Sequence, residues 1–109
     1  MTDAIQVVTT TDKQEDAANI ASSLVEQRLA ACVQVSGPVT SCYWWQGSIE
    51  RDEEWLCTIK TTAEAYQDVE EAIRQLHSYD EPEIIATPIT ACSQGYLDWL
   101  SEHVAGGKS

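Results

Sequence analysis

A two-layer α+β fold, one antiparallel sheet carrying two helices on the same face, is what this sequence predicts. Three observations carry that expectation. Ile5-Gln6-Val7-Val8-Thr9-Thr10-Thr11 is β-branched almost throughout, as a strand favours. Two later stretches repeat apolar residues at helical spacing, and each follows a β-prone segment. Between the two helical stretches, a pair of extended segments meets at a glycine-containing turn.

Taken in order, the first strand runs from Ile5 to Thr11. Asp12 then offers a helix N-cap with Glu15 three positions on, close to a capping box. Ala17, Ile20, Ala21, Leu24, Val25 and Leu29 continue that helix to about Leu29. Ala31 to Trp45 is extended, with Gly37-Pro38 interrupting it as a bend or bulge. Gln46-Gly47-Ser48 turns the chain, and Ile49 to Thr61 returns beside it, making one long hairpin. Thr61 with Glu64 repeats the cap signature, and Ala65, Val69, Ala72, Ile73 and Leu76 form a second helix ending near His77. Ile84 to Ala91 is a fourth strand, which Pro88 assigns to a sheet edge because it lacks a donor. Ser93 caps a short last helix bearing Tyr96, Leu97, Trp99 and Leu100. The order β-α-β-β-α-β, with a long β2-β3 hairpin and a short C-terminal helix, is that of a ferredoxin-like sandwich. It forms a single domain over residues 1–109, with 105–109 as a loose tail.

Both helices of such a sandwich cover one sheet face, so the other lies bare in a lone chain. Yet the third strand is apolar on both sides, with Trp55, Cys57 and Ile59 on one and Leu56 and Thr58 on the other. A sheet with one wet face alternates cleanly, and a monomer avoids exposing so large an apolar patch. The sequence therefore predicts a homo-oligomer that buries the second face, with the long hairpin as the arm that reaches a neighbour.

Eighteen acidic residues against six basic ones give a formal charge of −12. That field repels nucleic acid, because phosphate binding needs clustered Lys and Arg. No apolar run approaches the roughly 20 residues of a membrane helix, and Met1-Thr2-Asp3-Ala4 resembles no signal peptide. A cytoplasmic location, with no membrane partner, is the expectation. Cys32, Cys42, Cys57 and Cys92 are spaced too widely for a zinc ribbon or redox pair. They are expected to be free thiols, mostly buried.

His77-Ser78-Tyr79-Asp80-Glu81-Pro82-Glu83-Ile84-Ile85 links the second helix to the fourth strand. Pro82 stiffens a segment holding an imidazole, a phenol and carboxylates. His77 is the candidate metal ligand, with Glu81 or Glu83 adding oxygen; the competing reading, which the sequence favours, is a histidine placed at a helix C-terminus by the macrodipole. Tyr43, Trp45, Tyr79, Tyr96 and Trp99 either line a ligand cleft or pack an interface. Lys60 stands near Glu50, Glu53 and Glu54 in sequence, either fixing an anionic ligand or forming an internal ion pair. No nucleophile-elbow, phosphate-loop or zinc-hydrolase signature occurs, so no catalytic residue and no enzyme activity is assigned.

Several of these segments together resemble the divalent-cation-tolerance proteins, the CutA family. They are Leu29-Ala30-Ala31-Cys32-Val33; Tyr43, Trp45, Gly47, Ile49 and Glu50 with the pair Glu53-Glu54; Lys60-Thr61; His77, Tyr79 and Pro82-Glu83-Ile84; and Tyr96-Leu97-Asp98-Trp99-Leu100. The resemblance covers roughly Ile5 to Leu100. It implies a ferredoxin-like protomer, a homotrimer built through long hairpins, a cytoplasmic location and a link to copper and divalent-metal tolerance. On that footing the metal site falls at His77 and Glu83, and the inter-subunit ligand cleft at Tyr43, Trp45, Glu54, Lys60, Tyr79, Tyr96 and Trp99. Thr10 and Leu76 stand where some members carry a cysteine and a histidine, so divalent copper is expected to bind weakly and through His77. Two rival functions remain at this level: a PII-like sensor of a small anionic metabolite, and a trimeric scaffold for a protein partner.

Overall fold

The computed structural model describes residues 2–105. Its elements are β1 (Ala4–Thr11), α1 (Gln14–Glu26), β2 (Cys32–Trp45), β3 (Ser48–Thr62), a 3-10 turn (Ala63–Ala65), α2 (Tyr66–Leu76), β4 (Ile85–Pro88) and α3 (Gln94–Glu102). The four strands form one antiparallel sheet in the order β2-β3-β1-β4. This is the predicted ferredoxin-like arrangement, with β4 at an edge. The expected loose tail beyond Ala105 lies outside the described residues.

Strand alternation decides which face is buried. Val7, Thr9 and Thr11 on β1 pair with Ile59, Cys57 and Trp55 on β3. These residues face α1 and α2, whose Ala17, Ile20, Leu24, Val69, Ala72 and Ile73 complete the core. Ile20, Leu24, Ile59 and Ile73 are fully buried, each contributing roughly 1.5–3 kcal/mol of transfer free energy. Gln6, Val8 and Thr10, opposite Lys60, Thr58 and Leu56, point to the other face.

The ends of the elements depart from expectation for local reasons. Asp12 does not cap α1; Lys13 holds that position without a side-chain bond, and the Asp12 carboxylate accepts from the Ser78 hydroxyl across the molecule. α1 stops at Glu26, not Leu29, because Arg28 adopts a left-handed conformation (φ 60°) and Leu29 and Ala30 N–H both close onto Leu24 C=O. Thr61 gives its hydroxyl to Leu29 C=O instead of capping α2, which is reached through the 3-10 turn. β4 is four residues long, and after Pro88 a single bond from Ile89 N–H to Ala4 C=O ends the pairing. Ser93 caps α3 as predicted, accepting from Tyr96 N–H.

The hairpin is the longest feature, and it draws the molecule out to 47 × 25 × 21 Å. Trp45 pairs with Ser48, leaving Gln46 and Gly47 as a two-residue turn with φ of 50° and 84°. Two positive φ angles in succession match the strand twist in the manner of a type I′ turn. The expected bulge appears as a register shift between Ser36 and Val39.

Beyond the core, the hairpin exposes Trp44 (72%), Trp45 (58%) and Ile49 (54%), and Ile85 on the helix-free sheet face is 50% exposed. The four cysteines are free, but Cys57 alone is buried, and burial pushes its thiol up to about 11. Cys42 rides on the projecting hairpin and Cys92 on the segment before α3, so neither reaches the core that was expected to cover them.

Candidate functional site

A groove of about 960 Å³ opens between the hairpin and the α2-β4 link. Thr10 and Asp12 form its floor; Ser41, Cys42, Tyr43, Trp45, Asp52, Glu53 and Glu54 form the hairpin wall; and Ser78, Tyr79, Asp80, Glu81 and Glu83 form the opposite wall. Seven of these residues are carboxylic acids, and among the described residues no lysine, arginine or histidine lines the groove.

Two phenol-carboxylate pairs organise it. Tyr79 donates its hydroxyl to Glu54 Oε2 at 2.7 Å, bridging the two walls. Tyr43 donates to Asp52, two strand positions along on the same face of the hairpin. Glu54 is 6% exposed, an uncommon degree of burial for a carboxylate. Each phenol holds its proton more tightly as a result. The Asp52 hydrogen bond, with lesser help from desolvation, pushes Tyr43 up to about 12. Desolvation first, then the Glu54 hydrogen bond, raises Tyr79 well above the usual tyrosine range.

His77 anchors the link from behind. Tyr79 N–H donates to His77 Nδ1 at 3.1 Å, which leaves Nε2 to carry the proton and donate to Thr10 C=O at 2.7 Å. The imidazole also packs against the Tyr79 ring, with centroids 4.8 Å apart. Both ring nitrogens are thus engaged by the chain itself. Their partners orient Tyr79 toward Glu54.

Of the residues singled out from sequence, Tyr43, Trp45, Glu53, Glu54, Tyr79, Glu81 and Glu83 meet in the groove. Lys60 does not join them and forms no ion pair with the glutamates; its ammonium donates to Gln34 on β2. Tyr96 and Trp99 stack on each other, and Trp99 on His103, along α3. That helix lies toward the opposite end of the sheet, where Ser101 borders Ala4 and Thr62. Asp52 was missed, although period-2 alternation from Glu54 places it on the same face. Asp12 reads in sequence as a helix cap and Asp80 only as one carboxylate of the link, because only the tertiary fold brings β1 and the link beside the hairpin. Among the described residues, no three His, Cys, Asp or Glu side chains are arranged to hold one metal ion.

The Glu54–Tyr79 contact has a pH signature. An unfolded tyrosine loses its proton near pH 10, whereas folded Tyr79 keeps it to higher pH. The contact's stabilisation is therefore complete below about pH 10 and is lost as pH rises toward the folded value. Tyr79→Phe is expected to cost about 1 kcal/mol at neutral pH, by removing a donor from Glu54. It should also make the alkaline fall in thermal midpoint shallower, as measured at fixed protein concentration between about pH 9 and 11. An alkaline fall as steep as in the wild type would show that this phenol does not titrate with folding.

Comparison with known proteins identifies the fold's relatives. The family model for CutA1 divalent ion tolerance protein matches residues 5–103. The divalent-cation tolerance protein CutA of Thermus thermophilus is 45% identical over 97 residues, covering 89% of this chain and 94% of that protein. The chloroplastic protein CutA of Arabidopsis thaliana is 39% identical over 97 residues, 89% of this chain but 53% of the plant protein. The structure of the periplasmic divalent cation tolerance protein CutA of Archaeoglobus fulgidus superposes with a TM-score of 0.89 at 36% identity, covering 92% of this chain and 97% of that one. These relatives correct one expectation. Proteins of this kind are described as chloroplastic and periplasmic, so a cytoplasmic assignment does not stand. The charge and hydropathy of a folded domain do not encode its compartment, which targeting segments specify. No helix among the described residues is long and apolar enough to cross a membrane. With the match spanning nearly the whole chain, the protein belongs to the CutA1 divalent ion tolerance family.

Proposed function

We propose that this chain works as a homotrimer whose acidic, aromatic-walled clefts take up a small ligand and hold divalent cations loosely through carboxylates. The observation that carries the reading is the groove itself, where Tyr79 clamps the buried Glu54 beside a hairpin long enough to reach a neighbouring chain. Self-association is supported by the apolar residues on the helix-free sheet face and by the exposed hairpin tip. Membership of a divalent ion tolerance family supports a role in metal tolerance.

Weak metal binding follows from the chemistry of the donors. Thr10 is the residue beside the groove that would need to be a thiolate to favour copper, and the His77 nitrogens are spent on Thr10 and Tyr79. Calorimetric titration with divalent copper in moderate salt is expected to give a dissociation constant in the micromolar range or weaker, about −8 kcal/mol at most. Glu83→Gln or Glu54→Gln should weaken it further, and His77→Ala should do so less. Nanomolar affinity, or binding abolished by His77→Ala with the glutamate variants unaffected, would move the site to the imidazole.

A further inference from the structure

We infer that the helix-free sheet face receives the hairpin of a second copy of this chain, with Lys60 paired to Glu53 of the partner subunit; this rests on reading the chain as self-associating. The receiving face supplies the first observation. Lys60 lies on it between Gln6 on β1 and Cys32 on β2. From Leu56 to Lys60 on β3, and at the neighbouring positions of β1, β2 and β4 on this face, there is no aspartate or glutamate. That is a marked exclusion in a chain with eighteen acidic residues and six basic ones. Lys60 is half-buried, forms no ion pair among the described residues, and donates its ammonium to the neutral Gln34 amide. A second chain laid over the face takes water from that ammonium, and a desolvated cation needs a carboxylate. With none at these positions, the partner brings it.

The hairpin supplies the complement. β1 ends opposite Trp55, so Ser48–Glu54 continues with β2 as its only paired strand, and a two-stranded ribbon alone is marginally stable. Trp44 and Ile49 are cross-strand partners in that ribbon and are 72% and 54% exposed, so theirs is the ribbon face that needs cover. Period-2 alternation puts Arg51 and Glu53 on the same face. Ser48–Glu54 carries four carboxylates against that one arginine, a negative arm for a surface whose sole charge between Leu56 and Lys60 is positive. Asp52 and Glu54 are held by Tyr43 and Tyr79, whereas Glu53 makes no side-chain hydrogen bond or ion pair among the described residues. Glu53 is therefore the carboxylate free to cross the interface. The same docking gives Trp44 and Ile49 an apolar counterpart in Leu56 and the half-exposed Ile85.

The test is charge reversal in the full chain, read by light scattering over a concentration series in about 150 mM salt. Lys60→Glu and Glu53→Lys each set like charges together, and each is expected to raise the concentration needed for assembly by about tenfold or more. The double variant should return it to within about threefold of the wild type. Glu53 is exposed on the hairpin, so Glu53→Lys keeps the fold and decides the matter alone if Lys60→Glu does not fold. Assembly unchanged by Glu53→Lys, or weakened by both single variants without recovery in the double, would overturn the inference while leaving self-association intact. Wild-type assembly that requires added inorganic phosphate would give Lys60 to a free anion and also overturn it. A monomeric wild type would end both readings.

Discussion

Gly37→Ala is expected to destabilise the protein by about 2–4 kcal/mol, the sum of a backbone and a packing penalty. Gly37 has φ +151°, a conformation that side chains rarely adopt. A Cβ there would sit 2.7 Å from Trp55 Cδ1 and 3.0 Å from Glu54 C=O. The indole ring is packed against the core and the carbonyl belongs to the hairpin, so neither yields cheaply. The substitution also presses on the residue that the groove depends on, since Glu54 follows the bulge in register with Val39. Chemical denaturation should show the loss, and ligand affinity should fall with it. A variant as stable as the wild type would mean that β2 shifts freely at its bulge and that Glu54 is not held by it.

Leu56→Asp is the second large effect. Leu56 lies on the helix-free face between Thr10 on β1 and Ser36 on β2. If a second chain covers that face, the substitution buries an unpaired carboxylate there, at a cost of about 3–5 kcal/mol per site. Light scattering should then show the trimer lost at micromolar concentration, while Leu56→Met retains it. An aspartate variant of unchanged mass would show that this face is solvent-exposed in the working protein.

The fold was legible because its signals are local. β-branched Ile5–Thr11, the helical spacing from Ala17 to Leu24 and from Val69 to Leu76, and the Gln46-Gly47 turn each specify an element without help from elsewhere. Boundaries were less legible where a side chain was taken by a distant partner. Asp12 reads as a cap in sequence, yet Ser78 uses it; Thr61 reads as a cap, yet it bonds Leu29 C=O. The groove divides in the same way. Spacing along the hairpin places Tyr43, Asp52 and Glu54 on one face, but joining them to Tyr79 requires a contact spanning 25 residues, and setting the link requires His77 to reach Thr10 across 67. Tyr96 and Trp99 stand apart from the groove within one chain, because ring chemistry alone does not say which end of the sheet a helix occupies. The cysteines misled similarly, since the general tendency of free thiols to be buried gives way once a strand projects beyond the core.

Self-association through the sheet face and hairpin underlies the inter-subunit cleft, and thus the functional account as a whole. The most direct check is the native mass by light scattering at micromolar concentration, without added metal or ligand. About three times the 12.1 kDa chain mass is expected, with an unfolding midpoint that rises with protein concentration. A mass of one chain, with a midpoint independent of concentration, would contradict the account.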